Sequence, residues 1–357
     1  MNDINNKADA LLENYDYDIP AELIAQKPAD KRDASRLLVV DRKSGKFAHK
    51  KFSDIDNYFS AGDCLVINTT KVVPSRLFGK KATGGKVELL FLDPVADSKS
   101  DSYKVLSKPF METGKKVFFD GGWECEVQSK TEQGEIIVKF NKSDVLDLLE
   151  KNGIMPLPPY INRKDGLAQE LSTFDKERYQ TVYADAPGAI AAPTAGLHFT
   201  EDIFKALKNK GVEIATLTLH VGWGTFKPIV SQEISGHRMM SEKFSIDAAN
   251  AEKINSAKKS EKKVFSVGTT STRALETLAS VFGGEIKSYS GETSIFIYPG
   301  YKFKVPDVLI TNLHLPKSTP LMMASAFASR ELMLEAYKEA VNEKYRFFSY
   351  GDSMIIL

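Results

Sequence analysis

The chain has 357 residues, 42% of them hydrophobic, and this length predicts two domains with substantial cores. Lysine and arginine number 48 and aspartate and glutamate 47, which excludes a global basic field and leaves only a local patch for any nucleic acid. Cys64 and Cys125 lie far apart without metal-ligand spacing, so we expect two buried thiols, no disulfide and no metal site. The polar N-terminus and the lack of a long apolar run predict a cytoplasmic protein with no membrane association.

The predicted elements change in character twice along the chain. Apolar strands are predicted at residues 36–41 and 63–68, followed by short strands at 87–92, 103–107, 116–119, 123–128 and 135–140, which turns separate. A short helix at 144–151 leads into a proline-rich exit. We then expect helices at 201–209, 248–260, 274–282 and 319–343, and strands at 212–221, 264–267, 308–311 and 353–357.

This order predicts two units. Residues 1–75 and 154–357 read as one α/β domain that is discontinuous in sequence, and residues 76–153 read as a small all-β barrel inserted into it. Three helix starts carry specific signals: Thr200 and Asp247 are expected N-caps, and Thr319 is an expected N-cap followed by proline at the first helical position.

Histidines mark the first candidate site. His198, His220, His237 and His314 stand at predicted strand ends or in loops rich in glycine, threonine or proline, where the sites of α/β enzymes gather. One such histidine alone is more often structural than catalytic. Four in similar settings predict a site that uses some of them, whereas His49, in a basic run, is expected on the surface.

Three further segments suggest ligand contacts. The small, almost uncharged residues 192–200 suit a close approach of backbone to a ligand, with His198 beside them. Residues 219–226 end a strand with two glycines around Trp223, which indicates either a packed indole or a binding loop. Residues 267–273 enter a helix with four hydroxyls and Arg273, a pattern that suits a carboxylate or phosphate better than simple capping.

Two carboxylates stay open to alternative interpretations. Glu242 could pair with His237 or Arg238, or serve a site, and Asp352 could form a turn or serve a site. No Walker loop, dinucleotide fingerprint, nucleophile elbow or zinc-protease motif is present, so these common enzyme classes are excluded.

Motifs in a fixed order span nearly the whole chain. They occupy residues 17–26, 32–36, 62–68, 74–76, 82–88, 153–160, 179–183, 192–200, 223–226, 269–273, 311–316 and 350–354. With this series the chain resembles the S-adenosylmethionine:tRNA ribosyltransferase-isomerases of the queuosine pathway. One departure is Lys71, where the family usually has arginine. Lysine keeps the positive charge but cannot form the two parallel hydrogen bonds to a phosphate that arginine forms.

The resemblance implies a fold and a reaction. The fold would be an α/β barrel-like large domain, discontinuous in sequence, with an inserted antiparallel β-barrel. The reaction would move the ribosyl part of S-adenosylmethionine onto 7-aminomethyl-7-deazaguanine at the tRNA wobble position and isomerise it, giving epoxyqueuosine, adenine and methionine. S-adenosylmethionine is then a consumed cosubstrate, no other cofactor is needed, and the protein is expected to be a monomer.

The resemblance also implies roles for individual residues. Expected catalytic residues are His198, His220, His314, Glu242 and Asp352. Expected substrate contacts are Thr194, Gly196, Trp223, Thr225, Phe226, Thr269, Thr270, Arg273, Asn312 and Tyr350. Expected tRNA contacts are Arg36, Lys71, Arg76 and Lys86.

Two alternatives remain open at this point. One is a non-catalytic RNA-binding module that uses the small barrel as its reader, which leaves the histidine-bearing loops unexplained. The other is a different S-adenosylmethionine-dependent tRNA-modifying enzyme, such as a methyltransferase.

Overall fold

A computed structural model describes residues 7–95, 101–132, 134–163 and 171–357, without the side chain of Phe226. Its strands are, in chain order, β1 (Arg36–Val40), β2 (Phe47–Lys51), β3 (Cys64–Asn68), β4 (Thr70–Val72), β5 (Arg76–Lys81), β6 (Lys86–Phe91), β7 (Ser102–Lys108), β8 (Lys116–Phe119), β9 (Trp123–Lys130), β10 (Ile136–Phe140), β11 (Ala186–Ala189), β12 (Glu213–Leu219), β13 (Glu242–Ile246), β14 (Val264–Val267), β15 (Tyr289–Thr293), β16 (Val308–Asn312) and β17 (Ser353–Ile356). Its helices are α1 (Lys7–Ala10), α2 (Val145–Asn152), α3 (Ser172–Arg178), α4 (Glu201–Asn209), α5 (Ala248–Lys259), α6 (Gly268–Val281), α7 (Thr319–Phe327) and α8 (Arg330–Asn342).

The large part of the chain is built on a mixed sheet of nine strands in the order β15-β13-β12-β3-β14-β16-β17-β1-β2. Its four central strands, β12, β3, β14 and β16, run parallel, so their carboxyl ends meet at one edge. β3, β14, β16 and β17 are buried along their whole length, as expected for central strands covered on both faces.

The small part is a closed antiparallel barrel in the order β10-β7-β6-β5-β8-β9. Its strands alternate between interior and exterior because successive side chains of a strand point to opposite faces. On β6, for example, Val87, Leu89 and Phe91 are buried, whereas Lys86 is exposed and Glu88 partly exposed. The fold is therefore a mixed α/β unit with an inserted six-stranded antiparallel barrel.

The chain enters and leaves the barrel at one place. Arg76 and Ile154 exchange both backbone hydrogen bonds, with N···O distances of 3.2 and 2.8 Å. A Cβ on Gly153 would come within 2.0 Å of the carbonyl oxygen of Pro74, so only glycine fits this junction. An ion pair of 2.9 Å between Lys243 and Asp93 also joins the barrel to the sheet. These contacts hold one end of the barrel beside the large sheet.

Several predicted elements are confirmed by the structure. Thr200 and Asp247 are N-caps, accepting hydrogen bonds from the backbone N–H groups of Ile203 and Asn250. Cys64 and Cys125 are buried free thiols, and burial raises the pKa of each to about 12.

Other predictions need correction. The nine strands form an open sheet, with β15 and β2 at its edges, where the resemblance implied a barrel-like domain. The expected helix 319–343 is two helices, because Ser329 caps a new one, and the cap of the first is Ser318 rather than Thr319. The expected helix 274–282 already begins at Gly268. Six strands were not expected: β2, β4, β5, β11, β13 and β15.

Candidate active site

A cavity of about 420 Å³ opens where the parallel strands end, and we call it the strand-end cavity. Carboxyl ends of parallel strands are the usual ligand-binding edge of an open α/β sheet, and this volume is typical of a small-molecule site. Five polar residues expected to contact substrate line it beside apolar walls: Thr194, Thr225, Thr269, Thr270 and Asn312. The histidine expected from the same region, His314, lines it as well.

Two asparagines organise the strand-end cavity. The Asn68 side chain bonds both backbone groups of Leu219, at 2.9 Å each, and donates to the Thr270 hydroxyl at 3.4 Å. It therefore ties the end of β3 to β12 and to α6. The amide nitrogen of Asn312 donates to the carbonyl of Phe348, whereas its Oδ1 is buried without a hydrogen-bond partner in the described structure. A buried acceptor without a partner is costly, so Oδ1 is suited to a ligand donor.

A second cavity, of about 410 Å³, lies between the barrel and the large sheet, and we call it the junction cavity. Leu92, Asp93 and Lys104 border it from the barrel side. The sheet side contributes, among others, His220, Trp223 and Glu242. Val221 lines both cavities, so the two adjoin across one residue.

The Trp223–Phe226 turn lies between the two cavities. Trp223 lines the junction cavity and Thr225 the strand-end cavity, so the turn contributes to both. The side chain of Phe226, an expected substrate contact, lies outside the described residues.

His220 is the histidine best placed for proton transfer. Its Nδ1 is 2.8 Å from the hydroxyl of Thr70, and its side chain borders the junction cavity. Because a hydroxyl can donate or accept, Thr70 supports either imidazole tautomer. Desolvation lowers the pKa of His220, Asp93 raises it and Lys243 lowers it again. The net shift is downward, so the imidazole is neutral at pH 7 and can act as a base.

Gly188 packs against the His220 ring. Its φ of +150° lies where side chains are disfavoured, and a Cβ there would be 2.7 Å from ring atoms Cε1 and Nδ1. Gly188 lies in β11, which pairs with β4, the strand that carries Thr70. Thr70 and Gly188 together fix the position of the ring.

Glu242 forms a buried ion pair with Arg273, between Oε2 and Nη1. The other oxygen, Oε1, accepts from the backbone N–H of Gly222 at 2.9 Å and lies 3.4 Å from the Thr225 hydroxyl. The expected pairing of Glu242 with His237 or Arg238 is wrong. Arg238 donates to backbone carbonyls, and the His237 ring packs edge-on against Phe296. Arg273 thus pairs with a carboxylate of the protein itself. We had expected it to bind the carboxylate or phosphate of a ligand.

The hydroxyls around Arg273 do not cap the helix either. Thr272 donates to Ser266 and to the Gly268 carbonyl, and among the residues that the structure describes no side chain caps the start of α6.

His198, the leading sequence candidate, is buried away from both cavities and is 4% exposed. Asn312 Nδ2 donates to its Nε2 at 3.2 Å, so its proton lies on Nδ1, 2.8 Å from the Ser35 hydroxyl. That hydroxyl is 3.3 Å from the carbonyl of Arg32, to which it donates. Burial and the charges of Arg346 and Arg32 lower the pKa of His198 to about 3. The ring is a neutral link that positions Asn312.

The other expected catalytic groups are also internally bonded. His314 Nε2 is 2.7 Å from the Thr311 hydroxyl, and desolvation lowers the pKa of His314 to about 3. Asp352 is buried and accepts from the backbone N–H groups of Arg36 and Arg346. This geometry gives Asp352 a structural role.

Gly196 and Tyr350, both expected to contact substrate, lie outside the two cavities. A Cβ on Gly196 would come within 2.0 Å of the Tyr183 hydroxyl, so this glycine serves packing. The hydroxyl of Tyr350 donates to Asp175 at 3.2 Å.

The four expected tRNA contacts are spread over the surface. Arg36 stacks on Tyr345 at 3.7 Å and pairs with Glu343, far from the barrel in the fold. Lys71 is exposed on β4. Arg76 pairs with Glu88 at 2.8 Å on the barrel, and Lys86 is exposed two residues before that glutamate.

Several residues of the site were missed by sequence reasoning, chiefly Thr70, Gly188, Asp93 and Lys104. Thr70 stands next to Lys71, where the chain departs from the family pattern, and the Pro187-Gly188 pair was a turn signal that could have been used.

In the described ranges, no helix is long and apolar enough to cross a membrane. The same residues include no group of three or more His, Cys, Asp or Glu side chains arranged to hold a metal ion.

Comparisons with known proteins agree with this architecture. The family described as queuosine biosynthesis protein matches residues 12–356. The S-adenosylmethionine:tRNA ribosyltransferase-isomerase of Acetivibrio thermocellus is 48% identical over 352 residues, covering 96% of this chain and 98% of that protein. The crystal structure of the S-adenosylmethionine tRNA ribosyltransferase of Thermotoga maritima is 34% identical with a TM-score of 0.55, covering 96% of this chain and 100% of that one. The chain belongs to the queuosine biosynthesis protein family.

Proposed function

We propose that this chain performs its reaction in the two adjoining cavities, with S-adenosylmethionine in the strand-end cavity and the wobble base of tRNA in the junction cavity. As a member of its family, the chain is an S-adenosylmethionine:tRNA ribosyltransferase-isomerase of queuosine biosynthesis. The observation that carries the assignment is that two cavities of similar volume share Val221, as a reaction between two substrates requires.

The strand-end cavity has the groups that S-adenosylmethionine needs. Its apolar walls suit the adenine ring, and Asn312 Oδ1 is a buried acceptor for the adenine amino group. The hydroxyls of Thr269 and Thr270 and the ammonium of Lys227, all bordering the cavity, suit the ribose and the methionine carboxylate.

The junction cavity suits the tRNA base. It lies between the barrel and the sheet, so a base extruded from the anticodon loop can enter without passing through the protein core. Trp223 lines this cavity and offers an aromatic face for stacking.

His220 is the proposed acid–base residue. In our proposal its neutral Nε2 accepts the proton next to the sulfonium, the electron pair stays on carbon, and adenine later leaves with the electrons of its glycosidic bond. The carbanion pair then bonds to the carbon that adenine left, and the substrate amine displaces the ring oxygen from its other carbon and loses a proton. That oxygen closes the epoxide on the sulfonium carbon and expels methionine with the electrons of the C–S bond. The same imidazole can later return the proton to a leaving group. The Thr70 hydroxyl supports both steps because it can hydrogen-bond to either tautomer of His220.

Filling one cavity at a time tests the assignment. Thr194→Phe places a ring in the strand-end cavity, and Ser241→Tyr does the same in the junction cavity. We expect Thr194→Phe to weaken the binding of S-adenosylmethionine in calorimetry and leave tRNA binding intact, and Ser241→Tyr to raise the KM for tRNA alone. Ser260→Phe, at the exposed end of α5 on the large unit, is the control for adding a ring. The opposite pattern would overturn the assignment.

Turnover itself is measured by chromatography after incubation with S-adenosylmethionine and tRNA that carries the deazaguanine precursor. Free adenine and methionine with a heavier tRNA base are the expected products. Homocysteine derivatives would indicate methyl transfer, and no small-molecule product would favour a binding module.

A further inference from the structure

The outer surface of the barrel carries exposed aromatic rings that the proposed site does not use. Phe78 on β5 is 48% exposed and Phe118 on β8 is 38% exposed. Both occupy outward positions, since their neighbours along the strand are buried or partly buried. Large exposed aromatic rings on a folded protein commonly mark a binding surface.

Lysines surround these rings. Lys80 lies opposite Lys86 on one neighbouring strand and opposite Phe118 on the other. Lys108 lies opposite Glu88, which in turn lies opposite Phe78. Two acids lie beside these rings in the described structure, and each has a cationic partner. Glu88 pairs with Arg76, and Glu124, opposite Phe118 on β9, pairs with Lys116. Within the described ranges, Lys80, Lys86 and Lys108 form no ion pair, so the surface keeps a positive charge.

The surface leads directly to the junction cavity. Four successive outward positions of β6 and its extension are Lys86, Glu88, Leu90 and Leu92, and Leu92 lines that cavity. At about 3.3 Å per residue, the row extends about 20 Å. Phe78, opposite Glu88, lies about 13 Å along the strand from the cavity edge.

We infer that this surface, formed by the outward residues of β5, β6 and β8 around Phe78, Lys80, Lys86 and Phe118, binds the single-stranded nucleotides of the anticodon loop next to the wobble base. The inference rests on the proposed function, in which the wobble base enters the junction cavity. Aromatic rings that stack bases inside a basic surface are the common means of binding single-stranded nucleic acid. Lysines between the rings meet the phosphates.

The two rings offer neighbouring stacking positions. Phe118 is opposite Lys80, and Phe78 is two residues before Lys80 on the same face, so the two phenylalanines are diagonal neighbours, with Cα atoms about 7–8 Å apart. The guanidinium of Arg76 is 5.8 Å from the Phe78 ring centroid, which leaves the far face of the ring for a base.

Anisotropy titrations with a fluorescent anticodon stem-loop RNA of a substrate tRNA test the inference. Phe78→Ala is expected to weaken binding by roughly 5- to 100-fold, the usual effect of losing a stacked base. Phe118→Ala should act in the same direction. In Lys80→Glu/Lys86→Glu, the slope of log affinity against log salt should flatten by about 1–2. In turnover, Phe78→Ala should raise the KM for tRNA and leave the KM for S-adenosylmethionine and kcat unchanged.

The chain offers matched controls. Phe110 is 47% exposed and stacks with Lys130 of β9, three strands around the barrel from β6. Lys259 is exposed in the last turn of α5, on the large unit. Phe110→Ala and Lys259→Glu should bind the RNA like the unaltered protein, and thermal unfolding should show that every variant is folded.

The outcomes separate this inference from the proposed function. Unchanged RNA binding by folded Phe78→Ala and Lys80→Glu/Lys86→Glu would overturn the inference while adenine release still upholds the function. RNA binding that depends on Phe78, without adenine release by the unaltered protein, would uphold the surface and reject the function. A dimer in sedimentation that Phe78→Ala dissociates, with RNA binding unaffected, would assign the surface to self-association and overturn the inference.

Discussion

The carboxylate of Glu242 and the guanidinium of Arg273 form an ion pair that is almost completely buried, with 4% and 7% of the two side chains exposed. The pair joins β13 to the first turns of α6. The second carboxylate oxygen of Glu242, Oε1, accepts a hydrogen bond from the backbone N–H of Gly222 and so holds the start of the turn between the two cavities. We therefore treat Glu242 as a positioning residue for that turn.

Glu242→Gln should destabilise the fold because it leaves the Arg273 charge buried without a partner. We expect the free energy of unfolding in urea to fall by about 3–5 kcal/mol. Glu242→Gln/Arg273→Met should lose less than the sum of its single changes, since it removes both charges.

An exposed ion pair provides the control for this prediction. Glu285 pairs with Lys287, and both side chains are 55% exposed. Glu285→Gln should cost at most about 1 kcal/mol. If Glu242→Gln costs no more than Glu285→Gln, the buried pair does not hold the turn.

His220→Ala should slow adenine release. Loss of a positioned acid–base group lowers kcat by about 10²–10⁴-fold, while binding of S-adenosylmethionine should persist. The lowered pKa of His220 also predicts the pH profile. The neutral base is present above its pKa, so kcat/KM should be level at neutral pH and fall on the acid side with an apparent pKa below 6.5. Normal turnover by His220→Ala would remove this residue from the mechanism.

Gly188→Ala, at the border of the junction cavity, should displace the His220 ring. The new Cβ would stand 2.7 Å from the ring, at a φ where alanine is strained. We expect kcat to fall with little change in either KM, and unfolding to become easier by about 1–3 kcal/mol. Gly85→Ala is the matched control, because its nearest neighbour is 3.8 Å away and its φ is ordinary.

His198 should make the fold sensitive to acid. Its pKa is about 3 in the folded protein and about 6.5 in the unfolded chain, so between these values the unfolded chain binds the extra proton. Stability therefore rises with pH up to about 6.5, by about 1.4 kcal/mol per pH unit for this group, and is level above.

Urea unfolding at pH 7.5 and at pH 5 measures this effect. His198→Gln should be less stable than the unaltered protein at pH 7.5, because it disrupts the link from Ser35 to Asn312. It should also lose less stability on acidification. An equal loss in both proteins would contradict a neutral buried His198.

The sequence predicted the inserted barrel and the central strands well because these depend on local alternation and long apolar runs. It misjudged the histidines because their roles depend on distant partners. His198 meets Ser35, which is 163 residues away, and His220 meets Thr70, which is 150 residues away. No local pattern distinguishes a histidine enclosed by such partners from one that faces a cavity.

Two other misjudgements have different causes. The Glu242–Arg273 pair was missed because the strand that carries Glu242, β13, was not predicted. β13 lies next to the edge strand β15, and only two of its residues pair with β12. Ser329, a good N-cap, indicated the break between α7 and α8. The apolar periodicity continues on both sides of it, however, and therefore predicted one long helix.

The order of strands in the large sheet has a consequence for biosynthesis. β17, which contains residues 353–356, lies between β16 and β1, so β1 has only β2 beside it until β17, far later in the chain, has been synthesised. All barrel strands, in contrast, come from residues 76–140. The barrel strands can therefore pair early in synthesis, whereas the nine-stranded sheet stays incomplete until β17 has been added. The barrel is thus the part of the protein that can form first.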